Sequence, residues 1–339
     1  MAVTRNSKSR ALIPARPPLP AKVLAAAQAA AAAYGRAARA PSTWVAYESD
    51  WRIFKAWCRE VELVALPAEP STVALFLGSE ARRGLAPNTL ERRRSAIRLM
   101  HVGARVAPPT DALEVTEVMA GIRRTWGRPP NKKAAAVDEV VQRMVETLDL
   151  ETLRGLRDRA LLLVGFGGGL RRSEPVAIRV EHLTWRPEGV EIVIPRSKGD
   201  QEAAGQMVTL LRVPDSPYCP VHALQAWLAA AAIDTGPVFR RFYRGDHLNE
   251  KNVALSAQSV ALLVKALAER VGLDPEQYSG QSLRRGLLTS AARQGANIWK
   301  MLQQSRHRSV EVLQEYVEDG ARFKDHAAQG LLQRPGRAT

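Results

Sequence analysis

The chain has 339 residues, with 49 Lys and Arg against 34 Asp and Glu, a formal net charge of +15 and 46% apolar residues. That length suggests two domains, each large enough to bury a core. No apolar run reaches the roughly 18 residues of a membrane span, and the alanine-rich stretch 21–33 is too short and too weakly apolar for a signal peptide.

The positive excess is uneven. Residues 1–133 hold 22 Lys and Arg against 10 Asp and Glu, an excess of 12, whereas residues 134–339 hold 27 and 24, an excess of 3. Such a bias fits a part that grips a polyanion along its backbone. Residues 1–20 are rich in Pro and Arg and read as a basic arm; with a helix expected over 21–39, the arm region covers 1–40. Pro41-Ser42-Thr43 marks a helix start. Behind it Trp44, Tyr47, Trp51, Phe54 and Cys58 recur at spacings of three and four, one buried face. Pro70-Ser71 and Pro87-Asn88 begin two more helices. On the latter, Leu90, Ile97, Met100 and Ala104 make the inner stripe, leaving Arg92 and Arg98 at its sides, free to meet phosphates. With Arg93 and Arg94 they are candidate DNA contacts. A fourth helix over 111–126 completes a helical domain at 41–126. Arg128-Pro129-Pro130-Asn131-Lys132-Lys133 places an exposed linker at 127–137, where Lys132 and Lys133 add cations.

A second domain at 138–339 opens with helices over 138–147 and 154–167, the latter ending at Gly167-Gly168-Gly169. Val190, Ile192 and Ile194 alternate in strand fashion. Residues 206–213 can pair with them, and the turn between carries Lys198. From Pro220 onward the pattern is mainly helical. The expected fold is thus mainly α with a small β-sheet, a helical N-terminal domain followed by an α+β domain. Cys219-Pro220-Val221-His222 has the look of metal ligands, but no second pair accompanies it, so no metal is expected. Gly168-Gly169 lacks the Gly-Lys-Ser/Thr of a nucleotide-phosphate loop, and Arg240-Arg241 reads as a solvated pair. The two cysteines fall in different domains, so a disulfide framework is not expected and a reducing cytoplasm fits.

The chemistry sits in the last half. Arg171 lies in Gly169-Leu170-Arg171-Arg172-Ser173-Glu174, and Arg284 in Gln281-Ser282-Leu283-Arg284-Arg285-Gly286. His307 follows 23 residues later, and Tyr316 nine after that. Guanidinium forks pair bidentately with phosphate oxygens. Two of them can neutralise the charge that builds on a five-coordinate phosphorus. A phenol can attack that phosphorus and form a covalent phosphotyrosine.

This pattern resembles the tyrosine recombinase (phage integrase) family, from about Thr43 to about Val317. The resemblance assigns Arg171 and Arg284 to the two arginine boxes, with Glu174 as the supporting carboxylate. It makes Lys198, in Ile194-Pro195-Arg196-Ser197-Lys198-Gly199, the hairpin lysine and proton donor to the leaving oxygen. His307 takes the position of the family's histidine or tryptophan, and Tyr316 that of the nucleophile. It also implies that 41–126 is a core-binding DNA-binding domain, clamped with the catalytic domain around a duplex. The expected reaction cleaves and rejoins DNA through a 3′-phosphotyrosine without cofactor, metal or ATP. The partners it implies are double-stranded DNA with specific target sites and a homo-oligomer, a tetramer on two sites, in a bacterial, phage or plasmid setting. A C-terminal tail with Phe323, Leu331 and Leu332 would dock on a neighbouring protomer. The departure is Gln281, which stands where the family's second box begins with histidine; an amide donates a hydrogen bond but carries no charge. That leaves open a weakened or inactive DNA-binding regulator, alongside a type IB topoisomerase or a telomere resolvase.

Overall fold

Proline sets where several helices begin. In the computed structural model, which describes residues 21–127, 132–194, 205–243, 247–248, 252–307, 309–314 and 316, it stands in the first turn of α2, α3 and α4. There its missing N–H costs nothing and its fixed φ suits the helix. The chain divides into two compact units, residues 1–129 and 130–339. The first contains α1 (Ala21–Ala37), α2 (Pro41–Glu60), α3 (Pro70–Arg82), α4 (Pro87–Gly103) and α5 (Leu113–Trp126). Every residue of α1 is exposed, and the helix buries no side chain. The core of this unit is built from Phe54, Cys58, Phe76, Leu77, Leu90, Ile97 and Met119. Phe54 and Phe76 meet edge to face at 5.0 Å, a favoured aromatic geometry. His101 is fully buried in it. Its Nε2 accepts the Ala68 N–H at 2.9 Å, so Nδ1 bears the proton and donates to the Ile97 carbonyl at 2.8 Å.

The inner face of α4 differs from the expected stripe. Leu90 and Ile97 are buried, but Arg93, Ala96 and His101 fill the places expected of Met100 and Ala104. Asp50 and Glu80, both buried, make this possible by offering carboxylates to Arg93 from α2 and α3.

The second unit contains α6 (Asp138–Glu146), α7 (Leu153–Gly167), β1 (Leu183–Arg186), β2 (Gly189–Ile194), β3 (Gln206–Leu211), α8 (Pro220–Ala230), α9 (Ala257–Arg270), α10 (Gly280–Arg293) and α11 (Ile298–Ser305). Residues 311–314 and 316 are helical as well. The strands form an antiparallel sheet in the order β1-β2-β3, with Val190 opposite Leu210 and Ile192 opposite Val208. These four side chains share the inward face and enter a core with Leu161, Leu162, Trp227 and Phe239. Strand β1 was not expected, because Leu-Thr-Trp-Arg is too short to show a period of two. Cys219 is a buried free thiol just ahead of α8, as the reading of that segment as a helix start requires.

Two further expectations are corrected. The exposed linker over 127–137 does not extend to its end. Ala134 and Ala136 donate to the Gln277 and Ser282 carbonyls at 2.7 and 3.0 Å, and Ala136 is fully buried. Gly286 permits this, since a Cβ there would stand 1.7 Å from the Ala136 oxygen. Nor is Arg240 solvated: it is buried, with Nε donating to the Pro237 carbonyl at 3.1 Å and other donors on Asn252 and Thr235. The arm residues 1–20, Arg128-Pro129-Pro130-Asn131, the Lys198 turn and the tail with Phe323, Leu331 and Leu332 lie outside the described residues.

Candidate active site

Segments distant in sequence meet at one end of α10. Ser279 caps that helix: its hydroxyl accepts the Gln281 N–H at 3.2 Å, and its own N–H donates to Ser282 Oγ at 3.0 Å. Gly280 then allows the turn after α7 to press against the first turn of α10, because a Cβ at 280 would lie 2.7 Å from the Arg172 Cβ. Two leucines on either side of Arg284 around the helix do the rest. Leu283 and Leu288 are buried, and this turns Arg284 into the protein rather than into solvent.

Arg284 is 1% exposed. Its Nη1 donates to the Gly169 carbonyl at 2.8 Å and its Nη2 to His307 Nε2 at 3.1 Å. Gly169 adopts a φ of +54°, a region glycine enters at little cost, and this aims its carbonyl at the guanidinium. Arg171, at the start of the adjoining turn, donates from Nη1 to Glu174 Oε1 at 2.8 Å and from its backbone N–H to Oε2 at 2.8 Å. Its Nη2 lies 3.5 Å from the Arg306 carbonyl. The Arg171 side chain remains partly open to solvent, whereas Glu174 is buried.

The tautomer of His307 follows from its partners. A guanidinium only donates, so Nε2 is the bare nitrogen and Nδ1 carries the proton. Nδ1–H donates to Ser305 Oγ at 2.8 Å, and that hydroxyl passes its own proton to the Met301 carbonyl at 2.6 Å. Burial, then the cations Arg284, Arg171 and Arg306, hold the His307 pKa down to about 4, so the ring is neutral at physiological pH. The Arg284 pKa is pulled down to about 9, by burial first and then by Arg171 and Arg306, with Glu174 and Tyr316 opposing. It keeps its charge at neutral pH.

Tyr316 is 8% exposed and packs with Leu288, Ala292, Met301 and Leu313. Its ring centroid lies 6.3 Å from that of His307, and the Arg285 guanidinium lies over it at 5.3 Å, within cation–π range. Gln281 is exposed, one turn ahead of Arg284 on α10, and thus on the same side of the helix. Arg171, Glu174, Arg284, His307 and Tyr316 therefore form one connected site, with Gln281 at its edge; Lys198 belongs to the turn outside the described residues.

Three further residues were not singled out from sequence. Arg306 is buried on Glu174, Ser305 fixes the histidine tautomer, and Arg285 flanks the tyrosine. The run Ser305-Arg306-His307-Arg308 looks like a solvated polar stretch, and no spacing marks its second member as an inward one.

The DNA contacts expected on α4 are placed differently from the expectation of free cations. Arg92 forms a bidentate pair with Asp50 at 2.7 and 3.0 Å. Arg93 is buried against Asp50 and Glu80. Arg94 donates to Glu91 and to the Thr110 carbonyl, each at 3.2 Å. Arg98 pairs with Asp111 through two 3.2 Å bonds. The partners come from other elements or from one turn away, so the arginine run alone did not reveal them. Lys133 donates to the Glu276 carbonyl, and Lys132 is exposed. Among the described residues, no cluster of His, Cys, Asp and Glu is arranged to hold a metal, and no helix is long and apolar enough to cross a membrane.

The phage integrase family, compared as a sequence model, matches residues 137–322. The integrase/recombinase xerD homolog of Selenomonas ruminantium is 39% identical over 293 residues, 85% of each chain. Recombinase cre of Escherichia phage P1 is 24% identical over 309 residues, 84% of this chain and 86% of its own. Among solved structures, the XerH site-specific recombinase bound to palindromic difH substrate shares the fold with a TM-score of 0.56 at 17% identity, covering 77% of this chain and 72% of that one. A lambda integrase dimer bound to a COC′ core site gives 0.52 at 12% identity, covering 76% and 67%. The extent of the family match and the near relative lead to one conclusion: this chain belongs to the phage integrase family of tyrosine recombinases, which are DNA strand transferases.

Proposed function

We propose that the chain cleaves and rejoins double-stranded DNA at specific sites through a 3′-phosphotyrosine on Tyr316. The observation that carries this reading is the contact of Arg284 with His307 Nε2 at 3.1 Å, beside the Tyr316 ring and one shared turn from Arg171. The Arg171 and Arg284 guanidinia hold the scissile phosphate and offset the charge that grows on it. As the phosphate takes up Arg284 Nη2, His307 Nε2 is released to receive the phenolic proton. Ser305 keeps the opposite nitrogen protonated, so the ring can act in only one sense. The phenolic oxygen forms a bond to phosphorus, and the bond from phosphorus to the 5′-oxygen breaks. Lys198 gives that oxygen its proton. Reversal by the 5′-hydroxyl of a second duplex joins new strands. The phosphoester count is unchanged at each step, so no ATP is consumed, and the guanidinia supply the charge stabilisation that metal ions supply in other phosphoryl transfers.

Gln281 lends an amide hydrogen bond to a phosphate oxygen, where a histidine would add charge. Residues 41–126 form the companion DNA-gripping part through the half-exposed Arg92 and Arg98 and the partly exposed Arg94, with Lys132 and Lys133 just beyond, while the buried Arg93 holds its fold. Exchange between two duplexes calls for four copies of the chain on two sites. The test uses duplexes selected by binding to the protein from a random-sequence pool and then nicked near their centres. The parent protein traps such duplexes covalently on a denaturing gel. Tyr316→Phe traps none while binding within a few-fold of the parent. A parent that binds but never traps, or a phenylalanine variant that still traps, contradicts the reading.

A further inference from the structure

We propose that Arg306 is a positioning residue of strand transfer, locking the His307 turn onto the first arginine box through Glu174. This inference rests on the reading of the site as a transesterification centre. Arg306 ends α11 with φ 56° and ψ 43°, the left-handed conformation that closes many helices and favours glycine there. Other described non-glycine residues, Arg105 and Ala232 among them, share that conformation, so it is the side-chain contacts of Arg306 that set it apart. Its side chain is 4% exposed. Nη2 donates to Glu174 Oε2, and Nη1 lies 3.4 Å from the Gly168 carbonyl and 3.3 Å from the Gln304 carbonyl. Its own carbonyl faces Arg171 Nη2 at 3.5 Å. Side chain and main chain of one residue thus join the turn that carries His307 to the turn that carries Arg171.

The division of Glu174 gives this contact a consequence for the reaction. Oε1 receives Arg171 Nη1, while Oε2 receives the Arg171 N–H and Arg306 Nη2. With Arg306 removed, Oε2 is open to a second donor of the Arg171 guanidinium. A guanidinium facing a carboxylate closes on it as a two-bond fork, and the edge needed for phosphate turns inward. The His307 turn loses its anchor in the same change. Arg306 also contributes to the low pKa of His307, so its cation favours the neutral ring that can accept a proton.

Arg306→Gly tests this in the full chain, because glycine keeps the left-handed turn and removes only the side chain. With the binding-selected nicked duplexes, the variant is expected to bind within a few-fold of the parent. Its covalent adduct forms ~100-fold more slowly, the scale of loss that follows from misplaced reacting groups. The vacated space is lined by Glu174 and two carbonyls, so millimolar guanidinium chloride restores the rate about tenfold and sodium chloride at equal ionic strength does not. A purely structural loss would lower binding and adduct formation together, whereas misplaced reacting groups slow the adduct with binding intact. Adduct formation at the parental rate, or a loss that guanidinium leaves unchanged, overturns the inference. Should the glycine variant fail to fold, Arg306→Lys carries the test: it keeps the charge but not the fork, and the expected loss is about tenfold with binding intact. A lysine variant at the parental rate overturns the proposal. A parent that forms no adduct overturns the reading of the site, whereas a reactive parent with an equally reactive glycine variant overturns only the role of Arg306.

Discussion

Two arginine clusters in this molecule are built on opposite principles. On α4, Arg92, Arg93, Arg94 and Arg98 are each matched to a carboxylate: Asp50, Glu80 with Asp50, Glu91 and Asp111. In the catalytic unit, Arg171 and Arg306 divide a single carboxylate, Glu174, and among the described residues Arg284 donates to the Gly169 carbonyl and to neutral His307, neither of them an anion. The α4 arginines are locally neutralised although they lie in the region with the larger formal excess, and the nearly balanced region holds this concentrated positive charge. Net charge by segment says which part is basic; only the pairing says where an anion is wanted. A buried cation left without an ion-pair partner costs stability, and in the proposed reaction a phosphate is the anion that offsets that cost.

The first consequence separates the clusters by stability. Arg93→Met strands the buried Glu80 and Asp50 carboxylates with fewer counter-charges, and should cost about 3 kcal/mol in urea unfolding. Arg284→Met removes a poorly compensated charge at the expense of two hydrogen bonds, and should shift stability by about 1 kcal/mol or less in either direction. The same Arg284→Met variant should lose ~10²–10³ in the rate of covalent adduct formation, as when one preorganised donor to a developing oxyanion is deleted. If Arg93→Met is harmless, or Arg284→Met unfolds the chain, the contrast fails.

A smaller effect lies in the pH dependence of stability. His307 has a folded pKa held down to about 4 against an ordinary value of 6.5. Above pH 6.5 it is neutral in both states and contributes no pH dependence. Between 6.5 and 4 the unfolded chain binds the proton and the folded chain does not, so stability falls as pH falls through that window. Allowing for partial exposure, the loss is on the order of 1–2 kcal/mol. His307→Gln should flatten this part of the curve, measured by urea unfolding at a series of pH values; an unchanged slope would mean that the ring titrates normally.

The smallest effect belongs to α4. Arg98 and Asp111 are each about half exposed, and such a pair contributes little, so Arg98→Gln should change stability by less than about 0.5 kcal/mol. If Arg98 leaves Asp111 for a phosphate in the complex, the same variant lowers the salt slope of log K by roughly 0.9. An unchanged slope would assign Arg98 to the fold alone.

The residues that can be read locally were the legible ones. Proline at a helix start and the alternation of Val190, Ile192 and Ile194 recur in the structure, and Arg171, Arg284, His307 and Tyr316, picked out by their spacing, lie close together in it. What stayed hidden depends on partners far away in sequence. Arg93 is a core residue only because α2 and α3 bring Asp50 and Glu80 to it. Arg240 is buried because the Thr235, Pro237 and Asn252 oxygens surround it. Arg306 lies on Glu174, 132 residues away. Binary pattern treats every arginine as a surface residue, and a charged group is inward only when tertiary structure supplies its counterpart.

Mapping the residue that becomes joined to DNA tests the account most directly. Cleavage after Lys and Arg releases Tyr316 in the peptide 309–322 and Tyr278 in the peptide 271–284. After trapping on the nicked duplexes, nuclease trimming and trypsin digestion, mass spectrometry should find the residual nucleotide on peptide 309–322, at Tyr316. Tyr278 is buried in the main core of the catalytic unit and should stay unmodified. A nucleotide on peptide 271–284, or on any residue other than Tyr316, would contradict the assignment of the nucleophile and of the site built around it.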